Sequence, residues 1–172
     1  YPKDGVSRVQ ELQMVTQKGD NTSVVAIHGN FDDAQTGVKK IFADKEFGAE
    51  LADHGFQFSS ANSINIGRLV PQVVYYVYAY ASLLANEEIK DGEEINVTVP
   101  TGNFGNILAA YFAKQLGVPI KKLICASNDN KVLYDFFQTG TYDRQRDFIL
   151  TTSPSMDILI SSNLERLLYL ST

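Results

Sequence analysis

Cysteine is nearly absent: Cys125 is the single one in 172 residues. An internal disulfide and a multi-cysteine metal site are therefore excluded, and a reducing, cytoplasmic setting is expected. Histidine is scarce too. His28 and His54 lie far apart, and both read as structural, so no metal site is expected. There is no excess of positive charge. Fifteen Lys and Arg stand against 20 Asp and Glu, a formal net charge of −5. Without a basic field there is no counterion release to drive binding, so nucleic acid is not an expected partner. No apolar run approaches the roughly 20 residues of a membrane helix. The longest candidate, LVPQVVYYVYAYASLLA (69–85), is interrupted by Pro71 and Gln72, so no membrane partner is expected. Internal repeats and low-complexity segments are lacking.

What remains has the composition of a globular chain, 44% hydrophobic and 20% charged. Its length suits one domain, or one domain and a small lobe. Apolar periodicity predicts a helix over 7–19 ending at Gly19, and a buried β-branched strand over 23–28. Helices follow over 32–44, capped by Asp32 or Asp33, and over 46–55. A polar loop, SSANSIN (59–65), leads to a long apolar helix. Pro71 is tolerated only in a first turn, which places that helix's start near 67–70. A strand over 92–99, a helix over 105–117, a strand over 120–127 and a helix over 130–140 complete a βαβα run. That alternation argues an α/β fold with a parallel sheet covered by helices. The tyrosines at 75, 76, 78 and 80 fall on different helical faces and read as packing residues with wet tips. At the end, Leu164, Leu167, Leu168 and Leu170 begin a further helical pattern. The chain opens without Met, and both ends read as cut from a longer polypeptide.

Two stretches could bind an anion. In VTVPTGNFGN (97–106) a strand ends, glycines turn the chain, and a helix begins. The first amides of a helix lack internal partners and carry partial positive charge, so an anion fits there without any lysine or arginine. Gly102 and Gly105 allow close backbone approach, Asn103 and Asn106 can add side-chain donors, and Thr101 a hydroxyl. An ordinary strand–helix turn has the same pattern, and spacing alone leaves both readings open. In SSANSINIGR (59–68), Ser and Asn can cap the following helix. Arg68 near a helix N-terminus opposes the dipole unless an anion sits between them; a surface salt bridge is the competing reading. The echo HGNFDD (28–33) brings its own carboxylates, Asp32 and Asp33, which suit helix capping better than phosphate or metal. Cys125 reads as a small buried hydrophobe.

Four stretches in this order resemble one family. They are GNFDDAQTGVKKIF (29–42), SANSINIGR followed by PQVVYY (60–76), VPTGNFGNILAAYFAKQLGVPIKKLICASNDN (99–130) and TTSPSMDILISSN (151–163). Together they resemble the threonine synthases, in particular the longer bacterial and fungal type, over the whole chain. The resemblance implies a two-lobed fold type II enzyme dependent on pyridoxal 5'-phosphate. It also implies a three-layer parallel sheet with helices on both faces. Residues 1–58 would belong to the smaller lobe and 59–172 to the larger, phosphate-binding one. The implied reaction converts O-phospho-L-homoserine and water to L-threonine and phosphate. Gly102, Asn103, Phe104, Gly105 and Asn106 are then expected to cradle the cofactor phosphate, and Asn62, Ser63, Asn65 and Arg68 to face the substrate. The family's cofactor-bearing lysine lies in a Phe-Lys-Asp setting, and this sequence contains no such setting. No catalytic residue is therefore assigned within the chain, which by itself is expected to be inactive and to need the rest of its own polypeptide. The competing readings are another enzyme of the same fold type (a serine or threonine dehydratase, or a cysteine synthase) and a non-enzymatic phosphate-binding module.

Overall fold

The computed structural model describes residues 1–62 and 65–171. They form two compact units, Tyr1–Ser59 and Ser60–Thr172.

In the first unit, helix α1 (Arg8–Val15) starts at Ser7, whose hydroxyl accepts from the Gln10 N–H while the Gln10 side chain accepts from the Ser7 N–H. This reciprocal pairing satisfies two of the amides that a helix start leaves open. Helix α2 (Phe31–Ala43) begins in the same way, with Asn30 as its cap in place of the expected Asp32 or Asp33. The Asp33 N–H donates to Asn30 Oδ1 at 2.9 Å, and the Asn30 N–H donates to Asp33 Oδ2 at 2.8 Å. Helix α3 (Lys45–Asp53) is capped by Asp44, which accepts from the Phe47 N–H. Phe58 stacks on Phe42 at 5.2 Å and meets Phe47 edge-on at 5.5 Å.

The expected strand over 23–28 does not form. Only one parallel bridge, Pro2 with Ile27, joins this segment to the N-terminal residues, through Lys3 N–H to Ile27 O and Ile27 N–H to Tyr1 O. β-Branched residues favour a pleated surface but need a neighbouring ladder to hold it. Here Val24 and Val25 stay 42% and 68% exposed.

The second unit carries helix α4 (Ile66–Leu69), a 3₁₀ turn (Val70–Gln72), helix α5 (Val73–Ala85), strand β1 (Ile95–Pro100), helix α6 (Gly105–Gln115), strand β2 (Ile120–Ala126), helix α7 (Val132–Thr139) and helix α8 (Leu164–Ser171). The helix expected near 67–70 therefore starts on time but is tightened by the 3₁₀ turn that holds Pro71, which has no N–H to give the ladder. β1 and β2 pair in parallel, Val97 beside Leu123 and Val99 beside Cys125, with a register irregularity at Ile95/Asn96. The crossover through α6 is the βαβ unit that the alternation predicted.

Among the described residues the sheet has these two strands. Ile95, Val97, Val99, Leu123 and Cys125 pack into the core, whereas Asn96, Thr98, Lys122 and Ile124 on the other face are exposed. Helix α6 is the centre of that core: Leu108, Ala109, Ala110 and Ala113 are all fully buried. The small side chains let α6 lie close to its neighbours. Tyr76 and Tyr80 of α5 are buried and satisfied, Tyr80 donating to Glu93 O, while Tyr75 and Tyr78 are exposed. Burial also raises the Cys125 thiol above its ordinary range. Among the described residues no helix is long and apolar enough to cross a membrane.

Replacing the fully buried Leu108 with Ala opens a cavity in this core. Leu108→Ala is expected to lower stability by about 2–5 kcal/mol, read as a shift in the urea unfolding midpoint.

Candidate anion-binding site

The sequence Pro100–Ile107 leaves the carboxyl end of β1 and enters α6. Thr101 makes the last sheet contact, its N–H donating to Ala126 O at 2.8 Å. From residue 102 to residue 107 no backbone N–H has an acceptor among the described residues; the helical ladder resumes with Leu108 N–H to Phe104 O. This row of open amides lies where the α6 dipole is positive.

The turn is held in an uncommon shape. Phe104, the residue before α6, has φ of 64° in the left-handed region, which costs a non-glycine residue about 1–2 kcal/mol. Its ring is 5% exposed and packs 6.3 Å from Phe137, and this burial offsets the strain. A Cβ on Gly102 would stand 3.0 Å from Ile158 Cγ1, so the residue must be small.

The carbonyls of the same turn are tied down. Ser161 Oγ donates to Gly102 O at 2.7 Å. Asn163 donates to Asn103 O through its backbone N–H at 3.1 Å and its Nδ2 at 3.0 Å. A trans peptide sets C=O and the next N–H in opposite directions. With both carbonyls turned toward 161–163, the N–H groups of Asn103 and Phe104 point away from that segment. Asn163 is fully buried, and Arg166 Nη1 donates to its Oδ1 at 2.7 Å.

The loop lines a cavity of about 390 Å³ together with Asn62, Arg68, Gln72, Ser155 and Met156. Arg68 makes no ion pair among the described residues. Asn65 is absent from the lining. Its Oδ1 accepts from the Gly67 N–H at 2.9 Å and its Nδ2 donates to Ser60 O, making it the cap of α4. Ser63 lies outside the described residues. The Asn106 side chain is also engaged: Tyr76 OH donates to its Oδ1 at 2.5 Å, and its Nδ2 donates to Gln72 Oε1 at 2.9 Å. The open donor of Asn106 is its backbone N–H. Asn103 accepts from Ser162 Oγ at 3.4 Å, and its amide nitrogen has no acceptor among the described residues.

The echo Gly29–Phe31 differs in the respect that matters. There the side chains of Asn30 and Asp33 occupy each other's backbone N–H groups, so two of the amides at this helix start are already satisfied. Desolvation and the neighbouring Asp33 raise the Asp32 carboxyl above the usual range, as repulsion between adjacent acids requires.

Sequence reasoning missed Gln72, Ser155, Met156, Ser161 and Asn163. The last four belong to 151–163, where Ser, Thr and Asn crowd without helical or strand periodicity. That crowding was the available signal. Asp157 organises the segment: its buried carboxylate accepts from Asn128 Nδ2, Asn130 Nδ2, and the N–H and hydroxyl of Thr151, at 2.7–3.0 Å.

No family model matches the chain. Human threonine synthase-like 1 is 51% identical over 99% of this chain and 23% of its own length. Threonine synthase of Saccharomyces cerevisiae is 43% identical over 98% of this chain and 31% of its own length. The crystal structure of threonine synthase from Brucella melitensis, described as bound to PLP, superposes with a TM-score of 0.72 at 47% identity, covering 96% of this chain and 33% of that one. The chain is a homologue of threonine synthase. It spans about a quarter to a third of the length of these relatives. At such identities the α/β architecture around β1, α6 and β2 is the architecture of that family.

Two consequences can be measured. Asn163→Ala removes the side-chain donor on Asn103 O and the Oδ1 that accepts from Arg166 Nη1; a loss of about 1–3 kcal/mol is expected in denaturant titration. Burial raises the Tyr76 phenol above its ordinary value near 10. The folded protein then keeps this proton longer than the unfolded chain does. The resulting stabilisation is complete below pH about 10 and is lost as pH climbs through the raised value. The alkaline fall in unfolding midpoint should be shallower in Tyr76→Phe than in the parent.

Proposed function

We propose that this chain is the phosphate-gripping part of a pyridoxal phosphate-dependent lyase that makes L-threonine and phosphate from O-phospho-L-homoserine and water. The observation that carries this reading is the run of open amides over residues 102–107 at the start of α6. These N–H groups fit a phosphate: they converge at a helix N-terminus, their carbonyls are held elsewhere, and Gly102 permits close approach. Gly102, Asn103, Phe104, Gly105 and Asn106 would hold the cofactor phosphate, chiefly by backbone N–H groups with the Asn103 amide as a side-chain donor. When bound, pyridoxal phosphate supplies an electron sink for the substrate's α-carbon chemistry.

The second phosphate is the substrate's. Arg68 lines the same cavity and makes no ion pair among the described residues. Asn62 is in the same lining, and Ser63, the next residue in sequence, is assigned to the same side. Asn65 serves this side indirectly, by setting the turn on which Arg68 stands. A guanidinium binds a phosphate dianion by charge-assisted, bidentate hydrogen bonds and orients it. The substrate is thereby positioned with its leaving group fixed. The rest of the polypeptide would supply the lysine that holds the cofactor and moves its protons, the strands that extend the β1–β2 sheet at its edges, and the helices that cover its exposed face to make three layers. On this reading residues 1–58 belong to the smaller lobe and 59–172 to the larger, and the chain alone does not turn over.

The test uses the full-length protein with pyridoxal phosphate. Inorganic phosphate and threonine should appear from O-phospho-L-homoserine, and Arg68→Ala should cost about 1.5–3 kcal/mol in kcat/KM while cofactor absorbance is retained. Elimination from serine or threonine without use of the phosphorylated substrate would move the protein to the dehydratases. Loss of cofactor absorbance in Arg68→Ala would move Arg68 to the cofactor side.

A further inference from the structure

Gln72 lies in the cavity wall between the two sets of anion-binding residues, and both ends of its amide are used. Its Nε2 donates to Arg68 O at 2.9 Å. Its Oε1 accepts from Asn106 Nδ2 at 2.9 Å, and Asn106 Oδ1 in turn accepts from Tyr76 OH at 2.5 Å. Tyr76 OH also reaches Asn106 O at 3.2 Å. The side chain of Gln72 is 9% exposed, so these bonds are shielded from competing water. The helix break they span has a cause. Pro71 contributes no N–H, the backbone tightens to 3₁₀ over Val70–Gln72, and the short α4 that carries Arg68 is not a rigid extension of α5. Burial of Leu69 fixes the depth of that turn. The amide of Gln72 ties its Arg68 carbonyl to the first turn of α6.

We propose that Gln72 is a positioning residue that sets the spacing between the Arg68 phosphate site and the cradle at residues 102–106. The inference rests on the functional reading above. Gln72 need not touch either phosphate; it acts through Arg68 O on one side and Asn106 on the other. A phosphorylated amino acid linked to the cofactor must present its phosphate at a fixed distance from the cofactor's own. Small errors in such a distance weaken substrate use much more than they weaken the fold.

The experiment uses the full-length protein loaded with pyridoxal phosphate and four variants: Gln72→Met and Gln72→Glu, each alone and combined with Arg68→Ala. Met keeps the length and removes both bonds. Glu keeps the acceptor for Asn106 and loses the donor to Arg68 O. Each single variant should raise KM for O-phospho-L-homoserine, and the dissociation constant for inorganic phosphate, roughly ten-fold. Cofactor absorbance should persist, and kcat should fall less than KM rises. On the Arg68→Ala background the same substitutions should change neither constant further. Repulsion by a new Glu carboxylate would persist without Arg68, and a packing defect would act equally in both backgrounds; either pattern overturns the proposal, as does an unchanged KM. If Gln72→Met does not fold, the Gln72→Glu pair decides. A parent protein that binds no pyridoxal phosphate, or binds it and does not use O-phospho-L-homoserine, overturns the functional reading and this inference with it.

Discussion

Gly102 and Asn103 turn their carbonyls onto Ser161 and Asn163, and the open amides of the following residues are the other side of the same geometry. Each peptide plane can satisfy one partner in each direction. While the segment 161–163 holds the C=O groups, the N–H groups at the head of α6 have no acceptor among the described residues. The rest of the second unit serves this arrangement. The parallel pair β1–β2 ends the strand at the right edge. The alanines of α6 let it lie close to its neighbours in the core. Burial of the Phe104 ring makes a left-handed backbone tolerable for a residue that would otherwise avoid it.

The same tripeptide, Gly-Asn-Phe, occurs twice with opposite outcomes. At 29–31 it is followed by Asp33, which reaches back and closes a capping box. At 102–104 it is followed by Gly105 and Asn106, and Asn106 is drawn away to Tyr76 and Gln72. A helix start with its own carboxylate satisfies part of its amides internally, and the start of α6 has no such side chain. Side chains two or three positions downstream thus decide whether a turn caps its own helix or leaves its amides open.

The polar network reaches beyond the loop. Asp157, buried with four donors around it, fixes the turn that sets Ser155 and Met156 in the cavity wall and brings Ile158 against Gly102. Gln72 and Tyr76 brace the opposite wall. Such satisfied networks specify one arrangement because each half-made alternative leaves a buried group without a partner. The cavity is therefore shaped by residues that in sequence stand apart from the glycine loop, at 72, 76 and 155–163.

Periodicity and punctuation were enough for the elements of the second unit. The β1–α6–β2 crossover, the start of the long apolar helix at Pro71 and the stops at Gly117 and Gly140 follow from local rules that act within a few residues. The glycine turn between β1 and α6 was legible for the same reason, and its order with the neighbouring stretches sufficed to suggest the family. The strand expected at 23–28 failed because a strand exists only beside a partner, and propensity says nothing of partners. Asn65 and Asn106 could not be told from ligand-binding residues until their amides were seen engaged. The partners of Arg68 could not be read from sequence either; in the fold it makes no ion pair among the described residues. Which polar groups are left over is a property of the whole set of contacts, and contacts between residues 60 positions apart, as between Asn103 and Asn163, arise only when the chain is folded.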